Sequence, residues 1–401
     1  LEAVAQFMLL QYQKRMKIPP AFNRLMGRWG FPTISLLFCS GAILETSGQG
    51  LSLNFYTPCI LGLVLMLFLC MVDYHFFQKK LIAIGAYVLP LILLVMVFIP
   101  GIGVTDGGAT RWIAIGSFNF QPSETMKIGM VIFYSYVITK NYDNMRYFLR
   151  GMLPMLLALL VPAALLIKEP HISATALIVM TCIILIFVGG VNLKQFLLIG
   201  IIGAAGALLV VSIMSRNYDY IQKRIQSWVD PFADSQGNTW QTCQSLIAIG
   251  SGGLFGLGLG ESRQKYLYLP ETKNDFVFSI VCEELGLVGA LTVVLLFTLL
   301  VIRGFYIAMR AKDKFGMLMA IGLTSHIGLQ AFFNIAVVSN LIPNTGISLP
   351  FFSYGGTALI LQLAEMGIVL NISRVRYQSP QRAPAAERAP QAEVQLQGGN
   401  V

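Results

Sequence analysis

Long apolar segments recur along this chain and constrain its fold more than any other feature. Only 12% of the residues are charged and 56% are hydrophobic, whereas average soluble domains carry roughly 25% charged residues. Several runs approach or exceed the ~20 residues that a helix needs to cross a bilayer. The sequence therefore predicts an all-α polytopic membrane protein with about ten transmembrane helices. The predicted spans are residues 31–43, 56–72, 81–99, 125–138, 152–167, 172–188, 196–213, 276–302, 316–338 and 355–372.

Basic residues gather in alternate connections between these spans and indicate the orientation. If the amino terminus is cytoplasmic, inside connections hold roughly twice as many Lys and Arg residues as outside ones, as the positive-inside rule requires. Both termini are then cytoplasmic. The net charge of +9 does not require a nucleic-acid partner, because the basic residues gather in loops beside apolar spans, and no such partner is expected. The predicted organisation is a cytoplasmic amphipathic segment (1–30), a transmembrane domain (31–373) and a disordered cytoplasmic tail (374–401) rich in Pro, Ala and Gln. The start of the chain lacks a small-residue cleavage site, so no cleaved signal peptide is expected.

Three segments meet at the outside face, and they predict a polar cavity there. They are residues 101–124, 215–275 and 340–355, and the second is far longer than a structural connection requires. Within it, Tyr218–Trp228 is expected to form a short interfacial helix. The glycine-rich run at 250–260 permits close backbone approach, which is tolerated at membrane depth only beside protein or a wet cavity.

Asp275 lies where this long segment meets an apolar helix, and a carboxylate at a membrane boundary is costly to keep. It is therefore a candidate for chemistry on a charged lipid headgroup. The alternative is a helix N-cap, since Asp before Phe276 also suits a helix start. Basic residues in the same segment, Lys265 and Lys273 with Arg263, could neutralise an anion, although loop lysines are more often only solvated.

Other charged residues near the spans are candidates for binding. Glu124 and Lys127 are spaced i, i+3 and can pair on one helical face, either as a structural tie or as part of a site. Arg111 beside Trp112 suits a phosphate headgroup at the interface, although Trp112 alone also fits an aromatic-belt anchor.

Two further features of the outside half concern burial and substrate contact. Glu283 and the following Glu284 lie roughly 12 Å into their helix and need a partner, for which Lys127 is a candidate. Ser353 precedes the last span and is a candidate substrate contact. No His, Cys or carboxylate cluster has metal-ligand spacing, so no metal site is predicted.

Long blocks of this sequence resemble the SEDS family (shape, elongation, division and sporulation), and the resemblance covers Phe55 to Arg376. Four blocks carry it: GATRWIAIGSFNFQPSETMK (108–127), KEPHISATAL (168–177), QSLIAIGSGGLFGLGLGESRQKYLYLPETKNDFVFSIVCEELG (244–286) and NLIPNTGISLPFFSYGGTALI (340–360). The last block is more similar to FtsW and SpoVE members of Gram-positive bacteria than to RodA of enteric bacteria. Three positions depart from the family pattern: His171 replaces its usual acid, Trp240 its usual tyrosine and Asn274 its more common threonine.

The resemblance implies a peptidoglycan glycosyltransferase of the bacterial cytoplasmic membrane. Such an enzyme polymerises lipid II, and Asp275 matches the position of the catalytic base. The resemblance also implies a class B penicillin-binding protein as partner, and it leaves open a divalent cation (Mg²⁺ or Mn²⁺) that bridges Asp275 and the diphosphate. The predicted substrate-binding residues are Arg111, Trp112, Glu124, Lys127, Lys265, Lys273, Glu283 and Ser353.

Two other functions remain compatible with the same residues. A lipid II flippase would also need a polar cavity with intramembrane charges. A non-catalytic scaffold of the division or elongation machinery would not need Asp275 at all. Glycan polymerisation by purified protein in detergent separates the enzyme from both.

Overall fold

The computed structural model of the chain describes residues 53–106, 109–115, 118–217, 219–234, 237, 239–266, 269, 274–353 and 355–375. Three predicted features, the span at 31–43, the segment 1–30 and Lys273, lie outside the described residues. So does the predicted tail from residue 376 onward.

Helices dominate the described chain, and each predicted span within it coincides with one. In chain order the α-helices are α1 Leu53–Met71, α2 Lys80–Met96, α3 Pro122–Lys140, α4 Leu153–Lys168, α5 Ile172–Val188, α6 Leu193–Asn217, α7 Asp219–Val229, α8 Trp240–Ser251, α9 Val277–Met309, α10 Lys314–Val338 and α11 Gly356–Val375. Short 3₁₀ turns follow α1 and α3, at Tyr74–Gln78 and Tyr142–Asn144, and a π turn, Phe148–Met152, leads into α4. The predicted interfacial helix is α7.

Length and apolar composition qualify four described helices to cross a membrane: Phe148–Lys168, Val277–Met309, Lys314–Val338 and Gly356–Arg374. Shorter apolar helices accompany them in α1, α2, α5 and α6. Side chains such as Phe68 on α1 and Leu295 on α9 are more than half exposed. Exposed apolar rows of this kind suit contact with lipid rather than water.

Helix α10 forms the centre of the bundle, because it packs against α3, α5, α9 and α11. Its buried face is not uniformly apolar: His326, Gln330 and Asn334 recur every four residues and are all at most 2% exposed. Residues four apart lie on one face of a helix. A polar stripe therefore runs along the innermost helix and ends beside Asp275, whose carbonyl accepts from Asn334.

A small antiparallel sheet, which the sequence analysis did not predict, fills the connection between α2 and α3. Its strands are β1 Gly103–Asp106, β2 Ala109–Ile115 and β3 Phe118–Phe120, in the order β1-β2-β3. The register pairs Gly103 with Ile113 and Ile113 with Phe120. The β-branched and aromatic residues of β2 favour an extended strand, and the sheet carries Arg111 and Trp112 to the mouth of the bundle.

Candidate active site

A polar cavity of about 420 Å³ opens at the end of the bundle where α3, α5 and α9 begin. Its walls come from β2, the first turns of α3 and α5, helices α7 and α8, the segment before α9, α10 and the connection from α10 into α11. The lining residues with polar or charged side chains are Arg111, Trp112, Gln121, Glu124, Lys127, His171, Ser173, Arg224, Gln241, Asn274, Asp275, Gln330, Asn344, Ser348, Ser353 and Thr357.

Glu124 and Lys127 form a buried ion pair at one wall of this cavity. Pro122 opens α3, and an acid in the first turn suits the positive end of a helix. Lys127 Nζ donates to Glu124 Oε1 at 2.8 Å and to Gln330 Oε1 at 3.3 Å. Gln330 Nε2 in turn donates to Ser348 O and Oγ, both at 3.1 Å. The i, i+3 pairing agrees with the sequence, and the polar stripe of α10 anchors it.

Asp275 is half-buried at another wall, where hydrogen bonds hold the backbone on both sides of it. Asn334 Nδ2 donates to the carbonyl of Asp275 at 2.7 Å and to that of Ile347 at 2.6 Å. The hydroxyl of Ser353 donates to the carbonyl of Asn274 at 2.5 Å. The alternative interpretation of Asp275 as a helix N-cap is wrong, because the N-cap of α9 is Phe276. The carboxylate is thus not required at the helix start.

Arg224 brings a guanidinium to the same part of the cavity, although the sequence analysis assigned no role in the site to this residue of the predicted interfacial helix. Its Nη1 donates to the carbonyl of Asn344 at 2.8 Å. A Cβ atom built on Gly346 would lie 3.1 Å from Asp275 Oδ2 and 3.9 Å from Arg224 Nη1. Carboxylate and guanidinium therefore flank one glycine, whose φ of +66° and lack of a side chain leave room for both.

Arg111 and His171 meet at the turn between α4 and α5. Arg111 Nη2 donates to the carbonyl of Pro170 at 2.6 Å. His171 is 7% exposed and its Nδ1 is buried without a hydrogen-bond partner, so Nε2 is the ring nitrogen open to the cavity. Burial and the nearby positive charges of Arg111, Lys127 and Arg224 hold the pKa of His171 well below its usual value. The ring is therefore neutral at physiological pH.

Glu169 adds a second buried titratable group to this turn. It is 2% exposed, and its Oε1 has no hydrogen-bond partner. Burial raises the pKa of Glu169 to about 8, although the charge of Arg111 acts in the opposite direction. The turn thus offers a largely protonated acid and a neutral imidazole beside three cations.

Lys265 and Glu283, both predicted to bind substrate, do not line the cavity. Lys265 Nζ donates to Glu284 Oε1 at 2.8 Å and to the carbonyl of Gly260 at 2.5 Å. Glu283 accepts from Ser262 Oγ at 2.5 Å and from a backbone amide at 3.0 Å. The proposed pairing of Lys127 with these glutamates is wrong, because their partners are Ser262, Arg263 and Lys265, whereas Lys127 donates to Glu124 and Gln330.

Known proteins resemble this chain in sequence and in fold. The chain matches the family described as "Cell cycle protein", the FtsW/RodA/SpoVE model, over residues 34–378. Stage V sporulation protein E of Bacillus subtilis is 42% identical over 316 residues, which are 78% of this chain and 84% of that protein. The chain belongs to the FtsW/RodA/SpoVE family. The predicted SEDS membership is thereby confirmed.

Other members and solved structures of the FtsW/RodA/SpoVE family agree with this assignment. The probable peptidoglycan glycosyltransferase FtsW of Bacillus subtilis is 35% identical over 348 residues, 84% of this chain and 86% of that protein. The crystal structure of Thermus thermophilus RodA gives a TM-score of 0.64 at 25% identity, covering 88% of this chain and 98% of that chain. A structure described as a peptidoglycan synthase complex gives 0.73 at 27% identity, covering 87% and 97%. The predicted fold class, an all-α polytopic membrane protein, is confirmed.

Within this member of the FtsW/RodA/SpoVE family, the cavity brings together six of the nine predicted site residues: Arg111, Trp112, Glu124, Lys127, Asp275 and Ser353. Sequence reasoning missed Arg224, His171, Gln330, Asn334 and Asn344 as parts of the site. A signal existed for Gln330 and Asn334, because amides four residues apart inside an apolar span predict one polar helix face. Arg224 carried no such signal, since a basic residue in a long loop is usually solvated.

Proposed function

We propose that this chain is a peptidoglycan glycosyltransferase that polymerises lipid II into β-1,4 glycan at the outer face of the bacterial cytoplasmic membrane. The name of the curated FtsW relatives supports the reaction class. The observation that carries the proposal is the carboxylate of Asp275, which lines one polar cavity with Arg111, Lys127 and Arg224. This combination offers a base for a sugar hydroxyl and positive charge for a diphosphate.

The reaction assigns separate tasks to these groups. The 4-hydroxyl oxygen of the acceptor sugar bonds to the anomeric carbon of the donor, and the bond from that carbon to the diphosphate oxygen breaks with inversion. The hydroxyl proton passes to the carboxylate of Asp275 as general base. The diphosphate leaves with its electron pair and needs charge neutralisation rather than a proton. Arg111, Lys127 and Arg224 supply that charge from fixed positions.

Positioning of the base follows from the hydrogen bonds around it. Asn334 and Ser353 fix the carbonyls of Asp275 and Asn274, and Asn334 stands on the buried helix α10. A base held by its backbone loses little freedom when substrate binds, which favours a productive approach to the hydroxyl.

A divalent cation in the cavity is also a proposal. The lining residues supply only part of the ligand set that such an ion needs. Glu124 and Asp275 are the acids that line the described cavity, and Asp275 is the carboxylate that would contact such an ion. No group of three or more His, Cys, Asp or Glu residues in the described ranges has a metal-binding arrangement. Bound with the diphosphate, the cation would neutralise charge on the leaving group.

Membrane orientation and partner complete the proposal. The excess of basic residues in the predicted inside connections favours cytoplasmic termini, which puts the cavity at the outer face. The similar structure described as a peptidoglycan synthase complex supports a transpeptidase partner of the class B penicillin-binding type. Such a partner would crosslink the strands that this chain produces.

The test is glycan polymerisation by the Asp275→Asn variant, purified with its partner and supplied with labelled lipid II in detergent. The substitution keeps the shape of the side chain and removes the base, so we expect polymer formation to fall by roughly 10²-fold or more. Asp230→Asn is the matched control, because Asp230 is an exposed acid of the same long segment. It should retain wild-type activity at equal expression and thermal stability.

Each rival function gives a different outcome in this experiment. A flippase would form no polymer in detergent, where no membrane sides exist, even with the wild-type chain. A scaffold would support growth of cells that carry Asp275→Asn as their only copy. Wild-type polymer yield from Asp275→Asn would remove Asp275 from the mechanism.

A further inference from the structure

The opposite end of the bundle carries a second cavity that the proposed reaction does not use. This groove has a volume of about 460 Å³. Its lining comes from the 3₁₀ turn Tyr74–Gln78 with the residue after it, and from the last turns of α3. Lys140 ends the helix that begins beside Glu124, so the groove lies roughly 24 Å along the α3 axis from the candidate active site. The lining residues are His75, Gln78, Lys79, Tyr136, Thr139 and Lys140.

Positive charge dominates this basic groove. Lys79 and Lys140 are exposed, and within the described part of the chain neither ammonium forms an ion pair. Each lies over an aromatic ring, at 5.3 Å from the Phe76 centroid and 6.0 Å from the Tyr136 centroid. No carboxylate is among the described residues that line the groove. The amide of Gln78 and the hydroxyl of Tyr136 add neutral donors.

Two acids, Asp73 and Asp313, contact the turn that leads to Lys79, and both are engaged with other groups. Asp73 Oδ1 accepts from the backbone amide of His75 at 3.0 Å and from its Nδ1 at 2.7 Å. Asp313 Oδ1 accepts from the Tyr74 hydroxyl, and Oδ2 accepts from the amide of Gly316 at 3.2 Å. Asp313 Oδ1 also lies 3.8 Å from His75 Nε2. These carboxylates contact His75, Tyr74 and the start of α10, and neither forms an ion pair with Lys79 or Lys140.

The terminal segments of this chain do not match the groove in charge. Residues 1–52 contain five basic residues and two acids, and residues 376–401 contain three basic residues and two acids. The surface beside the groove is apolar instead: Phe76 is 45% exposed and Leu81 is 85% exposed. Exposed apolar side chains at the end of spanning helices indicate the boundary between acyl chains and headgroups.

We propose that this groove binds the phosphate of an anionic phospholipid headgroup from the leaflet at this face. Lys79 and Lys140 contact the phosphate oxygens from the two sides of the groove. Gln78 and Tyr136 donate hydrogen bonds to the remaining polar groups, and the acyl chains lie against the neighbouring apolar side chains. Ammonium groups near an anionic membrane surface are attracted to such lipids. The proposal does not depend on the reaction at the opposite face.

The first arm of the test measures lipid retention by native mass spectrometry of the purified full chain. Phosphatidylglycerol and phosphatidylcholine are titrated against the wild type, the double variant K79Q/K140Q and the control K194Q/K312Q. The control removes two exposed lysines with the same change in charge. We expect the double variant to retain phosphatidylglycerol roughly tenfold less than the wild type, since it loses both charges that face the phosphate. Phosphatidylcholine retention should be equal in all three.

The second arm replaces the lipid with millimolar inorganic phosphate and follows thermal unfolding in detergent. If the ligand is soluble phosphate, phosphate should stabilise the wild type but not K79Q/K140Q, and the two proteins should retain phosphatidylglycerol equally. This result would overturn the lipid assignment. Equal lipid retention and equal phosphate response in wild type and K79Q/K140Q would overturn the site itself. Loss of lipid in the control as well would assign the effect to overall charge. Because every readout is binding, failure of glycan polymerisation leaves this result interpretable.

Discussion

At the residue scale, His171 decides the charge of the cavity where this chain departs from the family pattern. The ring is nearly buried, its Nδ1 has no partner, and three cations surround it. A neutral imidazole adds no negative charge, so it does not compete with an anionic ligand for the positive charge of Arg111, Lys127 and Arg224. A carboxylate at this position would compete with the diphosphate for the same cations.

This argument predicts the behaviour of two substitutions. His171→Asp adds a carboxylate to the cavity that already holds Asp275 and the ion-paired Glu124, and carboxylates brought together attract Mg²⁺. We expect its KM for lipid II to rise about tenfold in the presence of EDTA, because one added charge in a partly desolvated site costs on the order of 1–2 kcal/mol. Millimolar Mg²⁺ should restore the KM. His171→Asn stays neutral and should respond to EDTA as the wild type does.

The measurement is the dependence of polymerisation rate on lipid II concentration, with kcat and KM separated. A purely structural role of His171 would instead lower the amount of folded protein and leave the KM unchanged under every condition. An equal KM for His171→Asp and the wild type in EDTA would contradict the electrostatic argument.

Single residues also show how far the sequence alone predicts the site. Asp275, Glu124 and Lys127 stood out because charge is costly beside apolar spans, and all three line the cavity. Arg224 did not, since its role follows from the fold: α7 brings it to Asn344, which is 120 residues further along the chain. Lys265 was predicted to bind substrate because of its charge. In the fold this charge is paired with Glu284, which lies in the same sequence block.

At the element scale, the glycine-rich loop and the break in α9 form one unit. Gly286 interrupts the helix with a φ of +64°, which frees backbone groups inside the span. The loop takes them up: Leu257 N donates to Glu283 O at 2.9 Å, and Leu287 N donates to Gly253 O at 2.9 Å. Unsatisfied backbone groups are costly at membrane depth, so the loop has to stay docked.

Substitution of Gly286 by Ala should undock this loop. The added Cβ would lie 2.3 Å from Gly256 N, and a positive φ is unfavourable for Ala. We expect a loss of on the order of 2–3 kcal/mol of stability, measured as a lower midpoint of thermal unfolding in detergent. Gly250→Ala is the matched control, because nothing lies within 4 Å of its Cβ position. Equal midpoints for both variants would show that the loop does not depend on the break.

The sequence predicted that these glycines allow close approach, but it could not say to what. Hydrophobic length locates helices well, which is why the α5 prediction agrees at both ends with Ile172–Val188. It overlooks short elements such as the sheet β1-β2-β3, since strands of three to seven residues carry little periodicity. Their signal was the Gly107-Gly108 pair between two β-favouring runs, which is typical of a hairpin.

At the scale of the whole molecule, helix α11 closes the bundle by packing against α1. Asn371 Nδ2 donates to the carbonyl of Cys70 at 2.8 Å, and Asn371 Oδ1 accepts from the amide of Tyr74 at 3.0 Å. These contacts join positions about 300 residues apart. Hydropathy along the chain gives no information about which spans are neighbours, so this closure could not be predicted from the spans alone.

Small residues make that closure possible. A Cβ atom on Gly367 would lie 2.5 Å from the carbonyl oxygen of Met66, and one on Gly62 would lie 2.5 Å from Leu363 Cδ1. Close backbone approach at glycines is a common basis of helix association in membranes, where the lipid supplies no hydrophobic drive between helices. Helix α11 also reaches the cavity, which Thr357 in its first turn and Ser353 just before it both line.

Gly367→Ala should therefore destabilise the whole bundle and not only one helix. The clash is with backbone, which cannot rotate away as a side chain would, and overpacking of this kind costs on the order of 1–3 kcal/mol. We expect a lower midpoint of thermal unfolding and a parallel loss of polymerisation. Gly85→Ala in α2 is the control, since its Cβ position is open and Ala favours a helix over Gly. A lowered midpoint with full polymerisation at low temperature would mean that the closure supports stability alone, whereas an unchanged midpoint would contradict the packing between α1 and α11.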